Sequence, residues 1–469
     1  MPAPESVCAG LFGSIPSMTE ELLLGLDLGT AYAKAAVVAL DGEELGHGRA
    51  RSPWRPVPTG AEMDPGDLLT AAVAAARQAL AAVPGGTVVG VGVTSMAETG
   101  ALLDGRGEAV APMIAWHDTR GGPEAEEIGR SLGGQRFNEQ TGLPVSRLCT
   151  LSKYRWLRAN SPEAGRGVRW LNVAEWMVKA LGGEEVAEHS LSSRTGFLEL
   201  GRRRWWDEAL ELADAPPDLL PQPVDAGHPA GRVAGALPDA KGAVLTVAGH
   251  DHPCASVGAG ATRPGDVFDS CGTAEAFVRA LDSPAPPVDV RRAVEGGVTV
   301  GWNVVPGQQA LMAGFVSGLA LARFLDLLGV EGAARASLET AALRVPPGAD
   351  GLTVTGVTED RATLEGIPPA TSPAHVWRAA VEAVARHGAG LLATIESVAG
   401  DSARLVVTGG WARSPVVRAV KREFLGPFEE PDVTEAGARG AALIAGIAAG
   451  VFESFDDLPA VRWRDPDHG

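Results

Sequence analysis

Twice along this chain of 469 residues a Gly-Thr pair falls between two apolar, strand-like runs, and each time similar parts follow. The first instance is "ELLLGLDLGTAYAKAAVVAL", residues 21–40, with Gly29-Thr30 at its turn; the second is "GDVFDSCGTAEAFVRA", residues 265–280, with Gly272-Thr273. A Gly-Thr pair between strands is a tight hairpin turn and does not open a helix. After the first hairpin, Asp41-Gly42 predicts another turn, Asp64 and Pro65 predict the start of a helix over about 66–83, and "GTVVGVGVTS" (86–95) predicts a buried strand ending in small residues. After the second come a long predicted helix over about 373–398 and the strand-to-loop run "ARLVVTGGWARS" (403–414). The repeated order implies an internal duplication: two α/β units with a ligand held between them.

The bulk numbers narrow the partners. A net charge of −18, with no long Lys/Arg run, gives no basic face for nucleic acid. Arg202-Arg203-Arg204, followed by Trp205-Trp206-Asp207, reads as a solvated turn. Cysteines 8, 149, 254 and 271 form no CxxC and no framework spacing, which suits free thiols in a reducing, cytoplasmic setting. No apolar run reaches the length of a bilayer span, so no membrane partner is expected, and the macromolecular partner left open is a second copy of the chain. Residues 1–20 are expected to be a disordered extension or the product of a start assigned too far upstream, since Met18 directly precedes the first periodic segment. The Pro/Gly/Asp-rich stretch before 243 places the join between the halves. The expected domains are therefore 21–246 and 247–455, with the join falling near 243–250 at the strand "AVLTVAG", Asp251 beginning the second half and 456–469 as a tail.

Several phosphate-binding solutions are excluded. There is no GxxxxGK[ST], and Gly388-Ala389-Gly390 lies inside a helical run rather than in a strand–turn–helix unit. Paired Gly-Thr hairpins are another way to hold a triphosphate, because turn N–H groups face phosphate oxygens and each threonine adds a hydroxyl donor. Asp27, two residues before Gly29, is then placed near the metal that accompanies ATP, and Mg²⁺ needs few protein carboxylates. In "VVTGGWARSP" (406–415), Gly409-Gly410 would let the backbone approach a flat adenine. "GHDHPCA" (249–255) admits two readings, half of a transition-metal site or one working aspartate. A metal site needs three or four ligands, and an extended segment would point His250 and His252 away from Asp251. The lone aspartate is the favoured reading, with the imidazoles as packing or hydrogen-bonding neighbours that flank the pocket.

These pieces, together with "PMIAWHDTR" (112–120), "EQTGLPVSRLCTLSKYRWL" (139–157) and "LNVAEWMVKALGGEEVAEHSLSSRTGFLEL" (171–200), occur in one order from about 21 to 450. The chain resembles the FGGY carbohydrate kinases, relatives of glycerol kinase and xylulokinase within the actin-like ATPases. The resemblance implies two actin-like (ribonuclease H-like) domains around a cleft for ATP, Mg²⁺ and a ketose, polyol or sugar acid. It implies Asp251 as the general base, Asp27 with Asp251 at Mg²⁺ through water, and Gly29, Thr30, Gly272 and Thr273 at the phosphates. Gly409, Gly410 and Ser414 match the adenosine loop, and Glu98, Trp116 and Asp118 fall at or beside positions lining the sugar pocket. The pocket departs from both relatives: Glu98-Thr99 resembles the Glu-Thr of glycerol kinases, but their preceding arginine is Ala97 here, and the Gln-Met-His of xylulokinases is Met96-Ala97-Glu98. The competing reading is an actin-like ATPase serving as a sugar-responsive regulator or scaffold without kinase activity.

Overall fold

The computed structural model describes residues 20–464 except 282 and 360. The extension expected over 1–20 lies outside the described residues apart from Glu20, as do 465–469 of the expected tail.

The first sheet contains β1 (Glu21–Leu28), β2 (Tyr32–Ala39), β3 (Glu44–Arg51), β4 (Thr87–Ser95) and β5 (Val244–His250), in the spatial order β3-β2-β1-β4-β5. The β1, β2 and β3 strands form an antiparallel meander, while β4 and β5 run parallel to β1. Helix α1 (Pro65–Ala81) starts as the sequence predicts: the Asp64 side chain accepts from the Gly66 N–H at 2.8 Å, and Pro65 sits at the first turn, where its missing N–H costs nothing. It covers one face of the sheet through Leu68, Ala72, Ala75 and Ala76, which pack with Leu22, Leu24, Leu26 and Leu28.

A second sheet repeats the plan. It is built from β6 (Asp266–Cys271), β7 (Glu275–Leu281), β8 (Thr299–Trp302), β9 (Gln309–Phe315) and β10 (Arg404–Thr408), in the order β8-β9-β7-β6-β10. Here too the hairpin carrying the Gly-Thr turn is antiparallel, and a later strand, β10, joins parallel to its first arm. The long helix predicted between them spans Pro373–Ala399. Both halves thus share a core of three antiparallel strands plus one parallel strand, which is the duplication read from the sequence.

One assignment changes. The join between the halves is expected near 243–250, with Asp251 beginning the second half, but 244–250 pairs with β4 and completes the first sheet, so a join drawn at 246 cuts through β5. A parallel strand is a plain apolar run, and nothing in its sequence says which sheet it joins.

The chain also crosses back. Helix α2 (Asp251–Gly258) and a helix near the C-terminus, Ala436–Ala448, pack together on the face of the first sheet opposite α1. The approach is backbone to backbone: a Cβ on Gly25 would lie 1.7 Å from the Ala438 carbonyl oxygen, and one on Gly92 1.9 Å from that of Ala441. At the helix crossing, a Cβ on Gly440 would lie 2.0 Å from the Cys254 oxygen. Gly440→Ala must push the two helices apart, and overpacking of this kind costs about 1–3 kcal/mol. The expected result is a lower thermal unfolding midpoint by calorimetry, whereas Gly410→Ala, with nothing within 4 Å of its added Cβ, leaves it unchanged.

Candidate active site

The functional residues of the first half gather at the C-terminal ends of the parallel strands β1, β4 and β5. Asp27 is the second-to-last residue of β1, paired with Lys34 across the hairpin and with Thr94 on β4. Its Oδ1 is buried and has no hydrogen-bond partner among the described residues, and a Cβ on Gly437 would meet its Oδ2 at 2.6 Å. Burial raises the Asp27 carboxyl to about 7; the Lys34 ammonium works against that rise, and the charges of Asp251 and Glu435 add to it. Lys34 itself is held above its ordinary value, because its neighbours Asp27 and Glu435 outweigh its burial; its Nζ meets Glu435 Oε2 at 2.8 Å. An orphaned buried carboxylate oxygen within the field of a second carboxylate fits a hard divalent cation that keeps most of its waters.

Asp251 opens α2, and the preceding residues set its position. Gly249 adopts φ +97°, where a Cβ would strike Ser190 Oγ at 2.6 Å, and a register shift in β5 falls just before it. The Thr94 hydroxyl donates to the Gly249 carbonyl at 2.7 Å, and the His250 N–H donates to Ser190 Oγ at 2.8 Å. Ser190 in turn donates to the buried Glu188 at 2.6 Å.

The two histidines are hydrogen-bonding neighbours as expected, but they do not point away from Asp251. The segment turns into a helix at Asp251 instead of staying extended, and this turn gathers the imidazoles onto the carboxylate. His250 Nε2 lies 3.1 Å and His252 Nε2 3.9 Å from Asp251 Oδ1, which also accepts from the His252 N–H at 2.8 Å. Burial pushes the Asp251 carboxyl upward, but both imidazoles and that N–H outweigh it and hold the group at about 2. Burial lowers His252 below its ordinary value, so at neutral pH it is a neutral neighbour.

The Gly29-Thr30 turn is braced from three sides. Gly29 N–H donates across the turn to Tyr32 O at 3.1 Å, Ser52 Oγ donates to Gly29 O at 2.7 Å, and Trp54 Nε1 donates to Thr30 O at 2.7 Å. Trp116 Nε1 donates to Thr30 Oγ1 at 2.9 Å, tying an expected sugar-pocket residue to the Gly29-Thr30 turn. Because Thr30 Oγ1 accepts there, its own O–H remains as a donor. Behind Trp116, the buried Lys153 ammonium donates to the carbonyls of Trp116, Arg147 and Leu148, and burial lowers it to about 8.

Glu98 follows β4 with φ +58°, a strained setting for a residue with a side chain. Its Oε1 accepts from Arg194 Nε at 2.7 Å and lies 2.6 Å from Arg194 Nη2, while Arg194 Nη1 donates to Thr299 Oγ1 on β8 at 2.8 Å. Arg194 was not singled out from sequence. It lies inside the quoted "SSRTG", but nothing in one sequence pairs it with a carboxylate 96 residues away. Asp118 is placed differently from Glu98. It is fully buried, accepts from Thr59, the Ala61 N–H and Arg120, and these bonds offset its burial and hold it below its ordinary value. That carboxylate is spent bracing its own loop.

In the second half, the Gly272 N–H donates to Ala274 O at 3.0 Å and the Leu319 N–H to Thr273 O at 3.0 Å. Gly409 adopts φ +103° and a Cβ there would lie 2.3 Å from the Cys271 carbonyl, so the Gly409-Gly410 loop rides directly on the strand that leads into the turn. The Ser414 hydroxyl is engaged elsewhere: it donates to Glu339 at 2.6 Å and caps the following helix by accepting from the Val417 N–H. The described residues of the expected tail are also bound to the second half, with Asp432 N–H donating to Arg462 O and Arg464 N–H to Glu430 O. No described helix is long and apolar enough to cross a membrane.

The raised Asp27 carboxyl carries a stability prediction. The folded protein holds a proton that the unfolded chain releases, so stability falls as pH climbs from 3.8 to about 7. Asp27→Asn is expected to raise the melting temperature of ligand-free protein at pH 8, with the gain shrinking as pH falls toward 4. Added Mg²⁺ is expected to raise the wild-type midpoint and leave that of the variant unmoved.

With this geometry established, comparison with known proteins is direct. Residues 22–258 match the FGGY family of carbohydrate kinases, N-terminal domain, and residues 270–449 match its C-terminal domain. The N-terminal match runs past 246 and takes in all of β5 and α2, in keeping with the sheet. A glycerol kinase from Aromatoleum aromaticum is 30% identical over 468 residues, covering 94% of this chain and 92% of that protein. A xylulose kinase from Streptomyces coelicolor is likewise 30% identical, covering 94% and 91%. Among solved structures, xylulose kinase from Rhodospirillum rubrum superposes with a TM-score of 0.84 at 27% identity, over 95% of this chain and 93% of that one. A gluconate kinase from Lactobacillus acidophilus shares the fold (TM-score 0.86, 16% identity, 95% and 93% covered).

Proposed function

The chain belongs to the FGGY family of carbohydrate kinases, and from that premise we propose that it transfers the γ-phosphoryl group of ATP to a hydroxyl of a neutral ketose or polyol, with Asp251 as general base. The observation that carries the acceptor class is the Glu98–Arg194 pair. Glu98 offers a carboxylate to hydroxyl donors, and Arg194 is already committed to Glu98 and Thr299. A sugar acid would bring its own carboxylate up to Glu98 and Asp251 and find that guanidinium spent. Relatives named for glycerol and for xylulose match at the same identity, so their names do not choose between acceptors.

The residues act as follows. The three contacts on Asp251 fall on Oδ1, which fixes the carboxylate plane and leaves Oδ2 for the acceptor hydroxyl. A carboxylate held at about 2 is a weak base toward a free alcohol. It takes the proton late, once the new O–P bond has made the hydroxyl acidic, as a loose transition state requires. Its earlier task is to aim the oxygen. The Thr30 and Thr273 hydroxyls would donate to phosphate oxygens together with the turn N–H groups other than those of Gly29 and Gly272, which are bonded within their own hairpins, and Gly409-Gly410 would lie against the adenine. Bound Mg²⁺ would neutralise phosphate charge, and Asp27 with Asp251 are the residues that would hold it, through its waters.

Coupled measurement of ADP release across neutral ketoses, polyols and aldonates tests this reading. The expected outcome is that a neutral acceptor raises ADP release well above the acceptor-free rate, and that Asp251→Asn lowers that rate by about 10²–10⁴-fold while ADP still binds. Hydrolysis at one rate whatever is added would instead support the regulator or scaffold reading, and a preference for aldonates would overturn the acceptor class. With the selected acceptor, Arg194→Ala is expected to raise the acceptor KM by about tenfold or more, because Glu98 is left buried and unpaired, with the KM for ATP unchanged.

A further inference from the structure

Three buried ionisable groups that the proposed chemistry does not use lie directly behind the second Gly-Thr turn. Asp269, on β6, precedes the turn, and Glu275, the first residue of β7, follows it. Between them reaches Lys421, from α3 (Pro415–Leu425), the helix that starts just past the Gly409-Gly410 loop. Its ammonium donates to Asp269 Oδ2 at 2.5 Å and to Glu275 Oε1 at 2.6 Å. The exposures are 0% for Asp269, 3% for Glu275 and 2% for Lys421. Cys271 adds a weak donor, with its Sγ 3.7 Å from Asp269 Oδ1.

Asp269, Cys271 and Glu275 place ligand atoms within 4.8 Å of one another, an arrangement that suits a cation. Lys421 already occupies that role, because its ammonium touches both carboxylates.

Stability alone does not account for the triad. Desolvating three charges is costly, and well-packed apolar residues commonly do as well or better at such sites. What an ion triad supplies, and an apolar contact does not, is a directional tie. One end of this tie is the helix whose start fixes the Gly409-Gly410 loop; the other end is both arms of the Gly272-Thr273 hairpin. Neighbouring contacts are equally tight: a Cβ on Gly318 would lie 2.1 Å from the Gly272 oxygen, and one on Gly409 2.3 Å from the Cys271 oxygen.

We propose that Lys421 is a positioning residue for the nucleotide: by gripping both arms of the second phosphate turn from the helix behind the adenosine loop, it fixes the phosphate-side contacts relative to the adenine-side contacts. The inference rests on the reading of Gly272-Thr273 and Gly409-Gly410 as nucleotide-contacting segments. Lys421 touches no substrate; it acts through the turn.

Calorimetric titration of the full chain with ADP and, separately, with adenosine tests it. Lys421→Met alone leaves two buried carboxylates without a counter-charge, so Lys421→Met/Asp269→Asn/Glu275→Gln is measured beside it, with thermal unfolding as the check on folding. The triple variant is expected to melt within a few degrees of wild type and to lose about tenfold in ADP affinity, with adenosine affinity unchanged. ADP affinity equal to wild type, or ADP and adenosine weakened in equal proportion, would overturn the positioning role, since the latter is what general loosening of the domain produces. If wild type itself binds no ADP, the nucleotide reading falls and this inference falls with it; if wild type binds and the variant does not discriminate, only the role of Lys421 is lost.

Discussion

The site depends on the backbone contact between the helix Ala436–Ala448 and the glycine-lined face of the first sheet. Gly25, Gly92, Gly258 and Gly440 have no room for a Cβ against the carbonyl of the opposing element. Small residues therefore set how deeply the helix sits, and that depth decides what its N-terminal end can reach. Glu435, just before the helix, meets Lys34, and Gly437 in its first turn lies against Asp27. Cys254 of α2 packs under Gly440, so the helix that presents Asp251 is seated by the same contact. A segment far along the chain thereby completes a corner begun by β1. The second family match ends at residue 449, one residue past this helix, while the helix itself packs on the sheet of the first.

The charges at that corner conflict with stability. Asp27 is lifted to about 7 by burial and by its acidic neighbours, and one of its oxygens has no hydrogen-bond partner among the described residues. Asp251, a few side chains away, is held at about 2 by imidazoles and an N–H. Two carboxylates in one corner, one ready to accept a cation and the other kept ionised by donors, are assigned different tasks by their surroundings. The unpartnered one suits holding a metal through water, and the braced one suits aiming a hydroxyl. Glu98 and Asp118 form a second such pair: Asp118 is saturated by Arg120, Thr59 and a backbone N–H, whereas among the described residues the hydrogen bonds and ion pair of Glu98 come from Arg194 and fall on one oxygen. Of the two, Glu98 keeps acceptor capacity for a ligand.

Much of the architecture was legible in the sequence because it rests on local signals. Both Gly-Thr hairpins, the Asp41-Gly42 turn, the Asp64-Pro65 helix start and the long helix follow from turn chemistry, capping and periodicity. Most of what escaped is non-local. The sheet that β5 joins is decided by hydrogen bonds to β4, and an apolar run looks the same in either sheet. The partnership of His250 and His252 with Asp251 depends on where a helix begins: one residue of extended chain more or less decides whether alternate side chains diverge or converge. Arg194 on Glu98 and Lys421 on Asp269 and Glu275 join residues far apart in sequence, and no spacing rule reaches them. Ser414 had a local signal that pointed to another role: a serine directly before proline and an apolar run is a helix cap, and capping is what it does.

The two halves use their buried charges for different ends, and this difference follows from what each must hold. In the first half Asp118, Lys153 and Glu188 are buried, but the pair proposed to meet the acceptor stays partly open: Asp251 and His252 keep 23% and 32% side-chain exposure, as proton exchange with an acceptor would require. In the second half the triad behind the turn is closed, with its carboxylates and ammonium satisfied by one another. A closed triad exchanges nothing with solvent, so its effect is mechanical: it holds a hairpin still. Phosphoryl transfer through a loose transition state asks the protein mainly for placement and charge neutralisation. A fold that puts a partly open carboxylate on one sheet and a closed ion triad on the other can meet those two demands separately, and on the proposed reading the acceptor side is then free to vary at Glu98 and Arg194 without disturbing the nucleotide side.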